Sequence, residues 1–157
     1  HDKEACNYHS FSTNVLFGDA IHNFIDGILI ALSFGVGTSV GIATTIAVFF
    51  HEVPQEIADF GVLIHSGYSK SKVFLYNLFT ALTTPLGAII GFFLFSSIHG
   101  FVGPLLAFGA GIFIYIAISD LLPELRHKMT SNIELGHLMS IAAGVLAIWG
   151  VGALFPE

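Results

Sequence analysis

Five long apolar runs constrain this chain more than any other feature, near residues 13–34, 39–65, 71–95, 103–122 and 136–155. At 1.5 Å of rise per residue, each is long enough to carry a helix through most or all of the roughly 30 Å hydrocarbon core of a bilayer. The separators are short and hold breakers: Gly35, Gly37 and Thr38, then Ser66, Gly67 and Ser69, then His99 and Gly100, then Pro123 through Glu134. In lipid every backbone polar group must be satisfied internally, so such runs fold as helices. The composition agrees, with 54% hydrophobic residues and 10% charged, against about 25% charged in an ordinary soluble domain. A soluble globule would leave large apolar patches in water, and disorder requires the opposite balance. The expected fold is all-α, a polytopic membrane helix bundle with five transmembrane helices, one domain over residues 13–157 preceded by a loop remnant over 1–12.

The charges suggest how the bundle sits. Five crossings put the N-terminal tail, the second loop and the fourth loop on one face, and all five bases, Lys3, Lys70, Lys72, Arg126 and Lys128, fall there. By the positive-inside rule residues 1–12 are expected in the cytoplasm and Pro156-Glu157 on the opposite side of a plasma or organellar membrane. Five bases without a basic stripe exclude nucleic acid as a partner. Cys6, the one cysteine, permits no internal disulfide. The opening His1-Asp2-Lys3-Glu4 lacks an initiator Met and a signal peptide and reads as a cut end, so the chain is expected to be the C-terminal part of a longer protein.

Six carboxylates lie inside the runs: Asp19, Asp26, Glu52, Glu56, Asp59 and Asp120. Facing lipid at about 2.5 to 3.5 kcal/mol each, the set would cost on the order of 15 kcal/mol, so these groups must face the protein interior. No lysine or arginine within the spans can neutralise them. Protonation, water or a bound cation remains.

Spacing favours the cation. Asp19, His22, Asn23 and Asp26 follow an i, i+3, i+4, i+7 pattern covering an arc of about 100°, and His51, Glu52, Gln55, Glu56 and Asp59 cover about 140° of the next helix. With a turn of three or four residues between these helices, His22 and His51 reach similar depth and can meet. Imidazoles, an amide and carboxylates converging from antiparallel helices form a divalent metal site suited to zinc, iron(II) or manganese, while the lack of thiolate argues against copper(I). The i, i+4 pairs His22/Asp26 and His51/Gln55 hold ligands on one helix face. Pro54 within the second stripe removes the hydrogen bond to the Phe50 carbonyl and is expected either to shape the site or to pack.

These residues carry a resemblance. His22-Asn23-Phe24-Ile25-Asp26-Gly27 matches an HNxxDG signature, and His51-Glu52-Val53-Pro54-Gln55-Glu56-Ile57-Ala58-Asp59-Phe60 closely resembles the HExPHExGDF signature of the ZIP (Zrt-, Irt-like protein) metal-ion transporters. Asn77 with Ala81-Leu82-Thr83, and Asp120 through Leu125, are also similar to that family. The resemblance implies the last five of eight helices, with the first three of the same protein missing here, and a homodimer in membrane lipid. It implies transport of divalent metal ions into the cytoplasm, zinc first, with iron(II), manganese(II) or cadmium(II) as further cargo. It also implies a binuclear centre: His22, Asp26, His51 and Gln55 at one position, Asn23, Glu52 and a shared Asp26 at the other. Glu56 and Asp59 resemble groups on the way out or groups that handle protons. Gln55 departs from the usual histidine, exchanging a nitrogen ligand for a weaker amide oxygen, and Ala58 replaces the usual glycine.

Other residues admit blander roles. Asp19 fits a hydrogen-bond acceptor behind a ligand, a group on the way in, or a direct metal contact. Asp120 suits the membrane interface. His65, His99, His127 and His137 fall at loops or helix ends, where they would be solvated, and His1 with His9 is a weak metal-collecting signal. Asn77, Thr80, Thr84, Gly87 and Gly91 form a small, polar stripe that suits close helix packing, with Asn77 and Thr80 facing the metal path as the alternative. Gly109, Gly111, Gly144 and Gly152 read as packing positions. Two further functions compete. An intramembrane zinc metalloprotease would use His51-Glu52 as the start of H-E-x-x-H, but position 55 is Gln. A metal-sensing membrane module is the other.

Overall fold

A computed structural model describes the backbone of residues 2–121 and 131–155 and the side chains of 13–98, 100–119, 136 and 139–155. Its elements are all helical: α1 (Asp2–Val36), α2 (Thr38–His65), α3 (Lys70–Ala81), α4 (Thr83–Phe95), α5 (His99–Ile116) running into a π-helical turn (Ala117–Leu121), and α6 (Ser131–Leu154). Expectations about the Asp120 side chain, His1, His9, His99, Arg126, His127, Lys128 and His137 lie outside the described residues.

Among the described residues, three stretches are both long and apolar enough to cross a membrane: Thr13–Val36, Lys70–Phe95 and Gly100–Ser119, with a shorter apolar helix at Met139–Leu154. In α2 the apolar run is interrupted by Glu52, Glu56 and Asp59. Helical backbone begins at Asp2, where a loop is expected from the sequence. The expected third helix is broken at Leu82 into α3 and α4. Pro85, three residues past the break, has no N–H for the Ala81 carbonyl, which explains the interruption.

The burial pattern is inverted relative to a soluble protein. Phe17, Phe49, Phe50, Phe74, Phe92 and Trp149 are exposed, whereas Asp19, Asn23, Asp26, Ser33 and Thr80 are buried with Leu29, Leu32, Val48, Leu63 and Val73. Most of those polar groups belong to α1, the central helix, which packs chiefly on α4 and then on α2, α3 and α5, while α6 lies on α2. Glycines set the α1–α4 approach. A Cβ at Gly27 would fall 1.9 Å from the Thr84 carbonyl oxygen, and one at Gly87 2.0 Å from that of Phe24. Gly87 and Gly91 thus act as the small-xxx-small face that lets two backbones touch. Gly109 makes room for the Leu29 side chain, but Gly111, Gly144 and Gly152 have nothing within 4 Å and are not packing positions among the described residues.

Helix α2 ends in a Schellman motif: Tyr68 N–H donates to the Leu63 carbonyl at 3.2 Å and Gly67 N–H to that of Ile64 at 3.0 Å. Gly67, at φ 89°, supplies the left-handed residue that this cap needs.

Candidate metal centre

Helices α1 and α2 are joined through Gly37 alone, a tighter connection than the three or four residues expected. His22 stands 15 residues before Gly37 and His51 14 after it, about 22 and 21 Å along their axes. Asp19 and Gln55 are each 18 residues away, at about 27 Å. Antiparallel packing therefore brings these pairs level, and Thr44, whose hydroxyl donates to Ser33 Oγ at 2.9 Å, closes the ladder nearer the turn.

At the His22/His51 level four ligand atoms converge. His22 Nε2 and His51 Nε2 are 3.0 Å apart. From His22 Nε2 it is 3.7 Å to Asp26 Oδ2 and 3.6 Å to Glu52 Oε1, and from His51 Nε2 the same oxygens are 3.0 and 3.2 Å away. A tetrahedral zinc ion with ligands at about 2.0–2.1 Å has ligand–ligand edges of about 3.3 Å, and the five distances bracket that value. His51 Nδ1 lies 3.2 Å from the Ala47 carbonyl, which only accepts, so Nδ1 carries a proton and Nε2 is the ring nitrogen turned to the cluster. Asp26 Oδ2 and Glu52 Oε1 are buried and, despite short contacts with the rings, receive no hydrogen bond of acceptable geometry. A proton between the imidazoles serves one pair of atoms; a divalent cation serves all four. The Phe113 ring of α5 packs on His51, with centroids 4.8 Å apart and planes tilted by 55°.

Three helical residues before His22, Asp19 is a second focus. It is buried, and its Oδ1 accepts from Asn23 Nδ2 at 3.0 Å and from Gln55 Nε2 at 2.9 Å. Asn23 is held at its other end by Thr84 Oγ1, which donates to Oδ1 at 3.0 Å. Both amides that the sequence marks as candidate ligands therefore engage Asp19. Oxygens of Asp19, Glu52 and Glu56 form a group lying within 4.8 Å of one another, so Glu52 belongs both to this group and to that of His22, Asp26 and His51.

Alongside both groups a cavity of about 710 Å³ opens between α1, α2, α3 and α4, its polar wall formed by Asn23, Thr45, Glu52, Glu56, Asn77 and Thr84. Asn77 Nδ2 donates to the Glu56 carbonyl at 3.3 Å, while Asn77 Oδ1 and Glu56 Oε1 are buried without a partner. Thr80 is buried with its hydroxyl on the Asn77 carbonyl at 3.0 Å and does not line the cavity. Asp59 is half-buried and belongs to neither group. Phe113 and the Ala47 carbonyl have no sequence signal: one is among 16 phenylalanines and the other is backbone.

The fold and this centre define a class, an integral membrane helix bundle with an interior His/Asp/Glu cluster of a kind that could hold a metal ion. The chain belongs to the ZIP zinc transporter family, whose model matches residues 1–155. It is 37% identical over 145 residues to Zinc transporter ZIP10 of Danio rerio, covering 90% of this chain and 17% of that protein. Zinc transporter ZIP6 of Homo sapiens is 36% identical over 140 residues, 87% of this chain and 18% of the relative. Zinc transporter zipt-7.2 of Caenorhabditis elegans is 41% identical over 140 residues, 85% and 30% respectively. The chain thus spans between a sixth and a third of the length of these relatives. No solved structure gives a significant match.

Proposed function

We propose that the protein containing this chain carries divalent metal ions, zinc foremost, across a membrane towards the cytoplasm, through the centre formed by His22, Asp26, His51 and Glu52. The carrying observation is the set of four converging ligand atoms, with the His–His and His–carboxylate separations between 3.0 and 3.7 Å, in which two buried carboxylate oxygens have no hydrogen bond. Membership of a family whose relatives are named zinc transporters supports the same reading.

The ion arrives at the two imidazoles and passes through Glu52, common to both groups, to Glu56, while Asp19 holds the amides of Asn23 and Gln55 beside this route. It leaves along the cavity lined by Glu56 and Asn77, towards Asp59 one helical turn further along α2. Ligand softness supports this direction, since zinc exchanges an N/O site for carboxylates alone, a weaker set from which release is easier. Orientation rests on Lys3, Lys70, Lys72, Arg126 and Lys128, which mark one face as cytoplasmic. Iron(II), manganese(II) and cadmium(II) are further cargo that this donor set admits.

A metalloprotease reading is not favoured: Gln55 stands where the second histidine is needed, and Glu52, the would-be base, lies within the ligand set. Zinc accumulation by cells carrying the full-length protein tests the proposal. His22→Ala or His51→Ala is expected to abolish saturable uptake at unchanged expression, and unchanged uptake would sink it.

A further inference from the structure

We propose that Asp19 sets the metal preference of this protein by orienting Gln55, so that side chain 55 offers the ion an oxygen. The inference rests on the transport reading above. A carboxylate accepts hydrogen bonds and cannot donate them, so the end of the Gln55 amide lying 2.9 Å from Asp19 Oδ1 is its NH2 group. The carbonyl Oε1 is then turned away from Asp19. Gln55 sits one helical turn after His51 on the same face of α2, and Asp19 belongs with Glu52 to the carboxylate group beside the imidazoles. Oxygen 55 therefore borders the ion's route, with its direction set from α1.

Asp19 can hold this role because it is itself fixed. It is buried, its Oδ1 also accepts Asn23 Nδ2 at 3.0 Å, and Asn23 is tied to Thr84 of α4 at 3.0 Å. Carboxylates that take the outer N–H of a metal ligand fix which atom the ligand presents. A histidine at position 55 would give Asp19 one ring N–H and the ion its other nitrogen. Glutamine gives Asp19 an amide N–H and the ion an oxygen. Exchanging nitrogen for oxygen moves preference from zinc towards harder ions such as manganese(II). Asp19 is thus a positioning residue, acting through residue 55.

The test is the ratio of zinc to manganese uptake, in competition, by cells carrying the full-length protein. The variants are Gln55→His, Asp19→Asn, Asp19→Ala and Gln55→His combined with Asp19→Ala. Gln55→His is expected to raise the ratio roughly tenfold. Asp19→Asn keeps an acceptor oxygen and should preserve that of the parent, whereas Asp19→Ala should move it. In the Asp19→Ala background the gain from Gln55→His should shrink to less than about threefold, the non-additivity of residues acting as a unit. Should Asp19→Ala and Asp19→Asn both lower uptake of the two ions equally, with Gln55→His acting alike in either background, Asp19 is structural or a direct ligand and the proposal is overturned. Ratios of zinc to manganese dissociation constants, measured on the same purified proteins, read the same quantity without flux. If uptake is absent but these ratios follow the expected pattern, the transport reading fails and the inference about Asp19 stands; ratios that do not move overturn the inference.

Discussion

Gly87→Ala strains the crossing that supports the metal centre. The new Cβ would lie 2.0 Å from the Phe24 carbonyl oxygen, and even 3.0 Å, a separation that real Cβ contacts rarely go below, requires α1 and α4 to part by 1.0 Å. The obstacle is backbone on a long helix, so no side-chain rotation relieves it. A shift of that size stretches the 3.0 Å bond from Thr84 to Asn23 to about 4 Å, beyond hydrogen-bonding distance. Overpacking costs about 1–3 kcal/mol and the lost bond about 1 kcal/mol, offset by about 1 kcal/mol of better helix propensity, for a net loss of about 2 kcal/mol. On the scale of a domain this size that lowers Tm by about 4–8 °C. Gly61→Ala is the control: nothing lies within 4 Å of a Cβ there, and its stability should be unchanged or slightly raised. Thermal unfolding of the purified full-length protein in detergent, with zinc affinity measured alongside, reads both outcomes. Gly87→Ala as stable as Gly61→Ala, with unaltered zinc affinity, would refute the tight α1–α4 contact.

Other outcomes follow from the same geometry. Zinc affinity should fall as pH is lowered from 7 to 5, because imidazole and carboxylate ligands bind only when free of protons; titration of zinc at several pH values checks this, and a flat profile contradicts the ligand set. Phe113→Ala removes the ring against His51 and should weaken zinc binding more than Phe108→Ala, whose ring is exposed, as read by competition with a chelator. Gly67→Ala forces a side chain into the left-handed cap of α2, where φ is 89°, and should lower Tm by an amount equivalent to about 1 kcal/mol.

Much of the site was legible because helical periodicity fixes faces. The spacing of Asp19, His22, Asn23 and Asp26 marked one buried stripe, and residue counts either side of the Gly35–Thr38 separator levelled His22 with His51. Rotamers were not legible. Gln55 shares the His51 face, yet which neighbour its amide meets depends on the lateral distance between helices, and the structure gives it to Asp19. Glu52 joining both groups has the same origin. Position 52 is adjacent to His51, and only the tilt of α2 against α1 decides which cluster it reaches. The break at Leu82 did carry a signal in Pro85, which the apolarity of the 71–95 run masked. Gly144 and Gly152 illustrate the opposite failure, since small residues in an apolar helix invite a packing reading even where none of the described residues comes near.

The central claim, that zinc is held by two imidazoles and two carboxylates at the crossing of α1 and α2, is tested most directly by zinc X-ray absorption on the purified, zinc-loaded full-length protein. The expected spectrum has two histidine nitrogens and oxygen donors at about 2.0–2.1 Å, with the imidazole scattering reduced in His22→Ala and in His51→Ala. A zinc shell of oxygens alone, unchanged by either substitution, would contradict the account.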